Sequence, residues 1–570
     1  MKGLPGHYAI PLVLGCLLAA AFLPATASAA PAAAPDTGSV LYQSQPPLLL
    51  QPPREAPSPI RIEEASPAAP PAAGGPKITV RGFRIDGDCP VPIPSLQALL
   101  QKDADNDLTV AELHALASRL TSHLRQQGFL VAVAYLPAQD VTGGIVAFTV
   151  VPGRYGAISV KGGAHVNDAF LRSLFRTAQS GGIIRRAPLE RALLSAGDFP
   201  GLSVKTTLTP GKTQGTADLL IEAADAQRVT GAVYTDNRGS RYTGTNRFGA
   251  QVSYNNLSGF GDVLSLVGVT TLSGMNNHDF GYSAPLGGSG LRGSLHQSQV
   301  FYTLGDTFTD MNATGQANTT SAALTYPLIR SRSFSLAANF GFDRKRLQDD
   351  IESVNNHILR ADNLWNLGLS GAFSDSWGGG GNNAFSLTYS RGNLSFENDI
   401  AAAVDDATAQ TVGAFGKMLF SYQRQQYLRK NLQLNLNFAG QWSDKNLDSS
   451  EKFFLGGATG VRAYPQGEAS GDQGYRLSAE MRLLIPGLST PRSSFFATGF
   501  FDCGAVQLNK TAWAEGNNFR SLSGAGVGLL WTRGSDYSLR LDYAWKTSAE
   551  AATSDTDKSG RLWLQAVKYF

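Results

Sequence analysis

Charge is scarce in this chain. Asp, Glu, Lys and Arg make up 16 % of its 570 residues, against roughly 25 % in ordinary soluble domains. The net charge of +3 is small for the length and gives no electrostatic reason to bind nucleic acid. Cysteine is scarcer still, at three. That is too few for a disulfide framework: Cys16 lies in an apolar leader, leaving Cys89 and Cys503, which fall in different expected domains and lack metal-ligand spacing. No cofactor or metal is expected. After the leader no run reaches the ~18–20 apolar residues of a membrane helix. A glycine-rich phosphate loop is missing too, because 378–381 is a glycine run with no Lys-Ser/Thr behind it. His296 and Ser294 are near neighbours on one strand, which is no catalytic geometry, and no enzyme is expected.

Glycine, in contrast, is abundant, at 62 residues, and points to turns and strands. The leader, 1–29, has Lys2, an apolar core over 10–23 and the small-residue site Ala27, Ser28, Ala29 of a secretory signal. Residues 30–76 form a Pro/Ala-rich linker. Within it 36–45 reads either as a short helix starting near Asp36 or as plain linker. Residues 77–154 read as a βααββ unit. A strand over 77–85 comes first, then a helix from 95, and a capping box at Thr109 and Glu112. That box opens a helix with Leu113, Leu116, Ala117, Leu120 and Leu124 on one face. Strands over 129–136 and 145–151 follow. The same element order recurs over 155–227, with strands at 155–161, 202–209 and 217–223 around two helices.

From 228 to 570 the period is two. Leu432, Leu434, Leu436 and Phe438 alternate with Gln433, Asn435 and Asn437, and Tyr537, Leu539, Leu541 and Tyr543 alternate with Ser538, Arg540 and Asp542. An apolar outer face and a polar face carrying Arg, Glu and Lys fit a transmembrane β-barrel with a wet lumen. About 16 strands fit the segment. Short turns, as at 285–290 and 485–491, alternate with long polar stretches read as loops, at 303–316 and 348–360. With no apolar helix, only a closed barrel satisfies the backbone in lipid. The fold class is therefore mostly β, an antiparallel barrel behind two α/β units, in an outer membrane.

One glycine-rich stretch stands out, Gly456 to Tyr464, with the single arginine Arg462. About 40 residues on, Asp502 is a lone carboxylate on a strand with Phe500 and Gly504 on its own face. A guanidinium can hold a carboxylate by two parallel hydrogen bonds, so a buried ion pair is expected. Glu480, on the preceding strand, is a rival partner.

These features resemble a known family. Two βααββ units before a barrel look like POTRA domains. Val461, Arg462, Ala463 and Tyr464, with Phe500, Asp502 and Gly504, look like the paired motifs of TpsB transporters of two-partner secretion (the FhaC/ShlB type), relatives of the barrel-assembly protein BamA. Gly128-Phe129 with Pro137 to Asp140 resembles the end of the family's first POTRA domain. Asp236 to Gly239 with Gly261-Asp262 resembles its first barrel hairpin. The resemblance implies that the loop at about 444–471, between strands eleven and twelve, folds into the lumen so that Arg462 meets Asp502. It implies export, and activation where that applies, of a large unfolded exoprotein captured by the POTRA units. The other expected partners are outer-membrane lipid and the barrel-assembly machinery. Two positions depart from the pattern: Ala463 replaces a glycine, and Lys568 stands where an aromatic is usual near the terminal Phe570. A general barrel-assembly factor, for which the resemblance would imply five POTRA units, and a solute porin are the competing readings.

Overall fold

The computed structural model describes residues 35–47, 60–63 and 76–570, apart from 142 and 164. The leader therefore lies outside the described residues, as does most of the linker. Sixteen antiparallel strands close into a barrel, from Val229–Asp236 to Gly560–Tyr569. Closure pairs Ala232–Asp236 of the first strand with 565–569 of the last. Alternation along each strand does the sorting. In Ser494–Gln507, residues 498, 500, 502, 504 and 506 are buried toward the lumen, while 499, 501, 503 and 505 face outward. Phe501, Cys503 and Ala505 thus share the outer face, and Cys503 is in no disulfide.

Of the two stretches read as loops, the first holds one, 304–312, with a 3-10 turn over Asp306–Met311, but most of 348–360 is strand. The fifth strand ends at Thr303 and the sixth starts at Ala313, while the seventh runs to Ile351 and the eighth starts at Asn356. Asp349 pairs with Ile358 and Gln348 with Leu359. Past the lipid both outer faces meet water, so apolar alternation disappears while backbone pairing continues. Polarity there imitates a loop.

Two α/β units precede the barrel. In the first, the expected single strand over 77–85 is broken at Arg81. Lys77–Val80 pairs antiparallel with Asn106–Thr109, and Gly82–Gly87 pairs parallel with Ile145–Val151. Of the strand expected over 129–136, Val133–Tyr135 forms. The helix Val110–Gln126 begins at the Thr109 box, where the Glu112 carboxylate accepts from the Thr109 amide at 2.7 Å. That hydrogen bond holds the Glu112 carboxyl below its usual range. Leu113, Leu120 and Leu124 of this helix are buried against Val146, Phe148 and Val150. The second unit has Leu202–Pro210 and Thr216–Asp225 at its centre. An added strand, Arg61–Ile62, lies parallel to Leu202–Pro210 at its edge, and Ile60 and Ile62 pack on its core.

The second unit sits on three tight turns at the near end of the barrel. The Asn167 amide donates to Gly259 O at 3.0 Å, and Asn256 Nδ2 donates to His165 O at 3.0 Å. Arg330 grips Asp198 with both nitrogens, at 2.7 and 2.6 Å, and Arg332 pairs with Glu190 at 2.5 Å. Gly261 has φ +75°, and a Cβ there would lie 2.8 Å from the Phe199 ring, so the turn requires glycine.

The first unit has its own core, so damage to it should stay local. Leu120→Ala, at a fully buried site, is expected to cost ~2–5 kcal/mol and open residues 76–153 to protease. The barrel should still migrate fast on an unboiled gel. A barrel that loses that migration would show that the two fold as one.

Candidate functional site

The residues after the eleventh strand, Leu432–Ser443, do not project outward. They turn into the lumen and return to the twelfth, Gln473–Leu484. A short hairpin of Phe453–Phe454 with Ser470–Gly471 forms the stem. At the tip Leu455, Val461, Ala463 and Tyr464 are fully buried. The Val461 amide donates to Leu455 O at 2.8 Å. A Cβ on Gly460 would sit 1.9 Å from that same oxygen, which is why the turn needs glycine.

Arg462 is 4 % exposed and Asp502 is 1 % exposed. The guanidinium holds Asp502 through Nε and Nη2, both at 2.8 Å, and the Arg462 amide adds a third bond at 3.2 Å. Both acids proposed as partners are engaged, since Nη1 donates to Glu480 Oε2 at 2.7 Å. The Arg462 Cζ lies 3.3 Å from the centroid of the Phe500 ring, so the cation stacks on a π face. Glu480 also binds Arg482 at 2.7 Å and Arg540 at 2.5 Å, and Arg540 binds Asp542 at 2.7 Å. Asp542 completes the group, 3.6 Å from Arg462. Three guanidiniums (Arg462, Arg482, Arg540) meet three carboxylates (Glu480, Asp502, Asp542), and the formal charges cancel.

The other motif residues fill in around this group. Tyr464 donates to Glu550 O at 2.8 Å, and Lys546 Nζ lies 4.6 Å from its ring centroid. A Cβ on Gly504 would come 2.9 Å from the Leu455 side chain, so this glycine makes room for the loop. Ala463 is accommodated by a second glycine: a Cβ on Gly524 would lie 2.4 Å from Ala463 Cβ. Ala463 is not among the residues of positive φ, so alanine causes no backbone strain there.

Further anchors were not read from the sequence. Glu468, fully buried, accepts from the Thr553 and Ser554 amides at 3.0 and 2.8 Å and from Arg520 at 2.5 Å, tying the loop to the last far-end loop. Glu451 binds Lys417 at 2.6 Å and also Lys345. Neither has a spacing to mark it.

A second element, the helix Thr37–Gln43, also lies in the lumen. Asp36 and Ser39 form its capping box. Val40 is fully buried, and Tyr42 stacks on Phe454 of the loop with centroids 4.2 Å apart. At its end Arg247 donates to Gln43 O at 2.7 Å and Gln45 O at 3.0 Å. At its start Asp36 lies 3.5 Å from Arg360, which also binds Asp448 of the loop at 2.5 Å and the wall residue Asp349. Of the two readings of 36–45, the helix is the one formed. Helix and loop are both held in the barrel by side chains, and neither adds a strand to the wall.

Comparison with known proteins agrees with this architecture. A family model described as haemolysin secretion/activation protein ShlB/FhaC/HecB matches residues 215–530. A second, the ShlB-type POTRA domain, matches 78–153. Similar curated proteins include the heme/hemopexin transporter protein HuxB of Haemophilus influenzae (strain 86-028NP), 28 % identical over 83 % of this chain and 84 % of that protein. The outer membrane transporter CdiB of Escherichia coli O6:K15:H31 is 24 % identical over 82 % of this chain and 80 % of that one. Among solved structures, CdiB from Escherichia coli superposes with a TM-score of 0.70 at 21 % identity, covering 89 % of this chain and 93 % of that one. BamA from Haemophilus ducreyi lacking POTRA domains 1–3 gives 0.51 at 15 % identity, covering 86 % and all of that chain.

Removing one partner of a buried ion pair typically costs ~3–5 kcal/mol. Asp502→Asn is therefore expected to release the loop while the barrel stays closed. Proteolysis of folded protein should then cut within 444–472, which is protected in the wild type. Continued protection would mean that Glu480 and the Glu468 contacts suffice.

Proposed function

Because the chain belongs to the ShlB/FhaC/HecB family of haemolysin secretion/activation proteins, we propose that it is the outer-membrane half of a two-partner secretion system, exporting one large exoprotein through its own barrel. The barrel lies in the outer membrane and the α/β units extend into the periplasm. One observation supports the mechanism: the lumenal helix is held by side-chain contacts and adds no strand to the wall, so it can leave without opening the barrel.

Capture starts at a sheet edge. An extended chain can join an exposed edge as an added strand, with backbone hydrogen bonds giving affinity and side-chain pockets giving selectivity. In the first unit Val133–Tyr135 is an edge strand beside the helix Val110–Gln126, and Val133 and Tyr135 are exposed. In the second unit the edge of Leu202–Pro210 already carries Arg61–Ile62. A chain arriving there displaces this segment, and with it the nearest tether of the lumenal helix. The helix then leaves, and the Arg462 group keeps the loop in register while the exoprotein passes. The likeness to BamA is one of fold and does not favour general barrel assembly.

Mass spectrometry of culture medium and outer membranes, with and without the gene, tests this. Loss of one large protein from the medium, with other barrels unchanged, is the expected result. Depletion of many barrels would instead indicate an assembly factor, and no change in either fraction a porin. Arg462→Ala should cut export at least about tenfold at normal barrel level, as expected for several kcal/mol of lost pairing. Deleting 36–45 should raise the conductance of single barrels in planar bilayers. Unchanged conductance would show that the helix does not limit the pore.

A further inference from the structure

Lys568, the departure noted near the chain end, lies on the lipid face. Its neighbour Val567 is buried toward the lumen, at 5 % exposure, so Lys568 points outward. Residues directly opposite in an antiparallel ladder share a face. Arg533 is opposite Tyr537, Tyr537 is opposite Lys568, and Lys568 is opposite Val233. One outward row thus crosses strands fourteen, fifteen, sixteen and one, beside the barrel closure. Tyr537 and Val233 are 39 and 47 % exposed, as wall residues that touch lipid should be. Lys568 Nζ lies 4.1 Å from the Tyr537 ring centroid, and Trp531 stacks with the same ring, centroids 6.5 Å apart.

The row is at the periplasmic end. Strands fourteen and fifteen meet there in the turn 534–536, the same end at which the second α/β unit sits on its three turns. Interfacial aromatics such as Tyr537 and Trp531 mark headgroup depth. A lysine on the lipid face cannot leave its charge in hydrocarbon, and extends it to the headgroups. Neither Arg533 nor Lys568 makes an ion pair among the described residues, and the acid in that turn is Asp536. Across the barrel mouth the situation differs, because Arg330 and Arg332 are occupied by Asp198 and Glu190.

We propose that Arg533 and Lys568, on either side of the Tyr537 ring, bind the phosphate of an anionic phospholipid in the periplasmic leaflet. The two cations are two strands apart, about 10 Å between backbones. Both long side chains can reach a single phosphodiester from there. The direction of the row selects the occupant: it faces away from the lumen, so an exported chain does not meet it and lipid does. This inference depends on the barrel and its orientation and not on how cargo is captured.

Native mass spectrometry of the full chain, released from nanodiscs of phosphatidylethanolamine with a minority of phosphatidylglycerol, tests the site. Wild type should retain phosphatidylglycerol in preference. Lys568→Gln and Arg533→Gln should each reduce that retention about fivefold, the effect of one cation near an anionic surface. Lys568→Tyr should do the same while keeping the barrel's fast unboiled migration, which separates lipid binding from misfolding. Added inorganic phosphate should not displace the lipid. Equal retention in the double variant would overturn the proposal, as would displacement by inorganic phosphate, which would make the site one for free anions. Lost export with lipid retention unchanged would also overturn it and assign the row to the exoprotein.

Discussion

A guanidinium withdrawn from water must be matched, and the interior of this barrel is arranged around matching one. Arg462 brings its charge against the inner face of the barrel wall on the tip of a loop. Asp502, Glu480 and Asp542 come from three different strands of the wall, and Arg482 and Arg540 keep the total neutral. Desolvation makes such a group costly to assemble and more costly to leave half assembled. It therefore works as a register mark. The loop has one position in which every charge is answered, and any displacement leaves carboxylates and guanidiniums facing each other unevenly. The glycines around it serve the same end by clearing space: Gly504 for Leu455, Gly524 for Ala463.

Much of this was legible in the chain. Period-two alternation specifies a barrel strand as long as one face meets lipid, so the strand count and the assignment of Phe500, Asp502 and Gly504 to one face followed directly. The ion pair was legible because a single arginine stood in an uncharged glycine run. Where the face meets water on both sides the signal vanished, so the ladder from Gln348 to Leu359 passed for a loop. The break at Arg81 was hidden because both halves of the strand read as β, and pairing with different partners is not written in either. Glu468 and Arg360 could not be found from sequence. Most of their partners are remote in the chain and carry no motif: Thr553, Ser554 and Arg520 for one, Asp36 and Asp448 for the other.

The second α/β unit both docks on the barrel and carries an added strand. Its helix Arg186–Gly197 and the turn before Phe170 are fixed to the barrel by ion pairs and backbone bonds, so its sheet is held at a set angle to the mouth. Its free edge meanwhile carries Arg61–Ile62. The docking contacts and the edge that carries the added strand thus belong to one small unit.

The lumenal helix and the edge strand belong to one stretch of chain, with residues 48–59 between them. Once Arg61–Ile62 is back on its edge, that connection, at no more than about 3.5 Å per residue, holds the helix within a few tens of ångströms of its seat. Its return is a unimolecular event. Tethering of this kind acts as an effective concentration on the order of millimolar, independent of how much protein the membrane holds. On the proposed mechanism, such a tether would let the pore reseal after each passage.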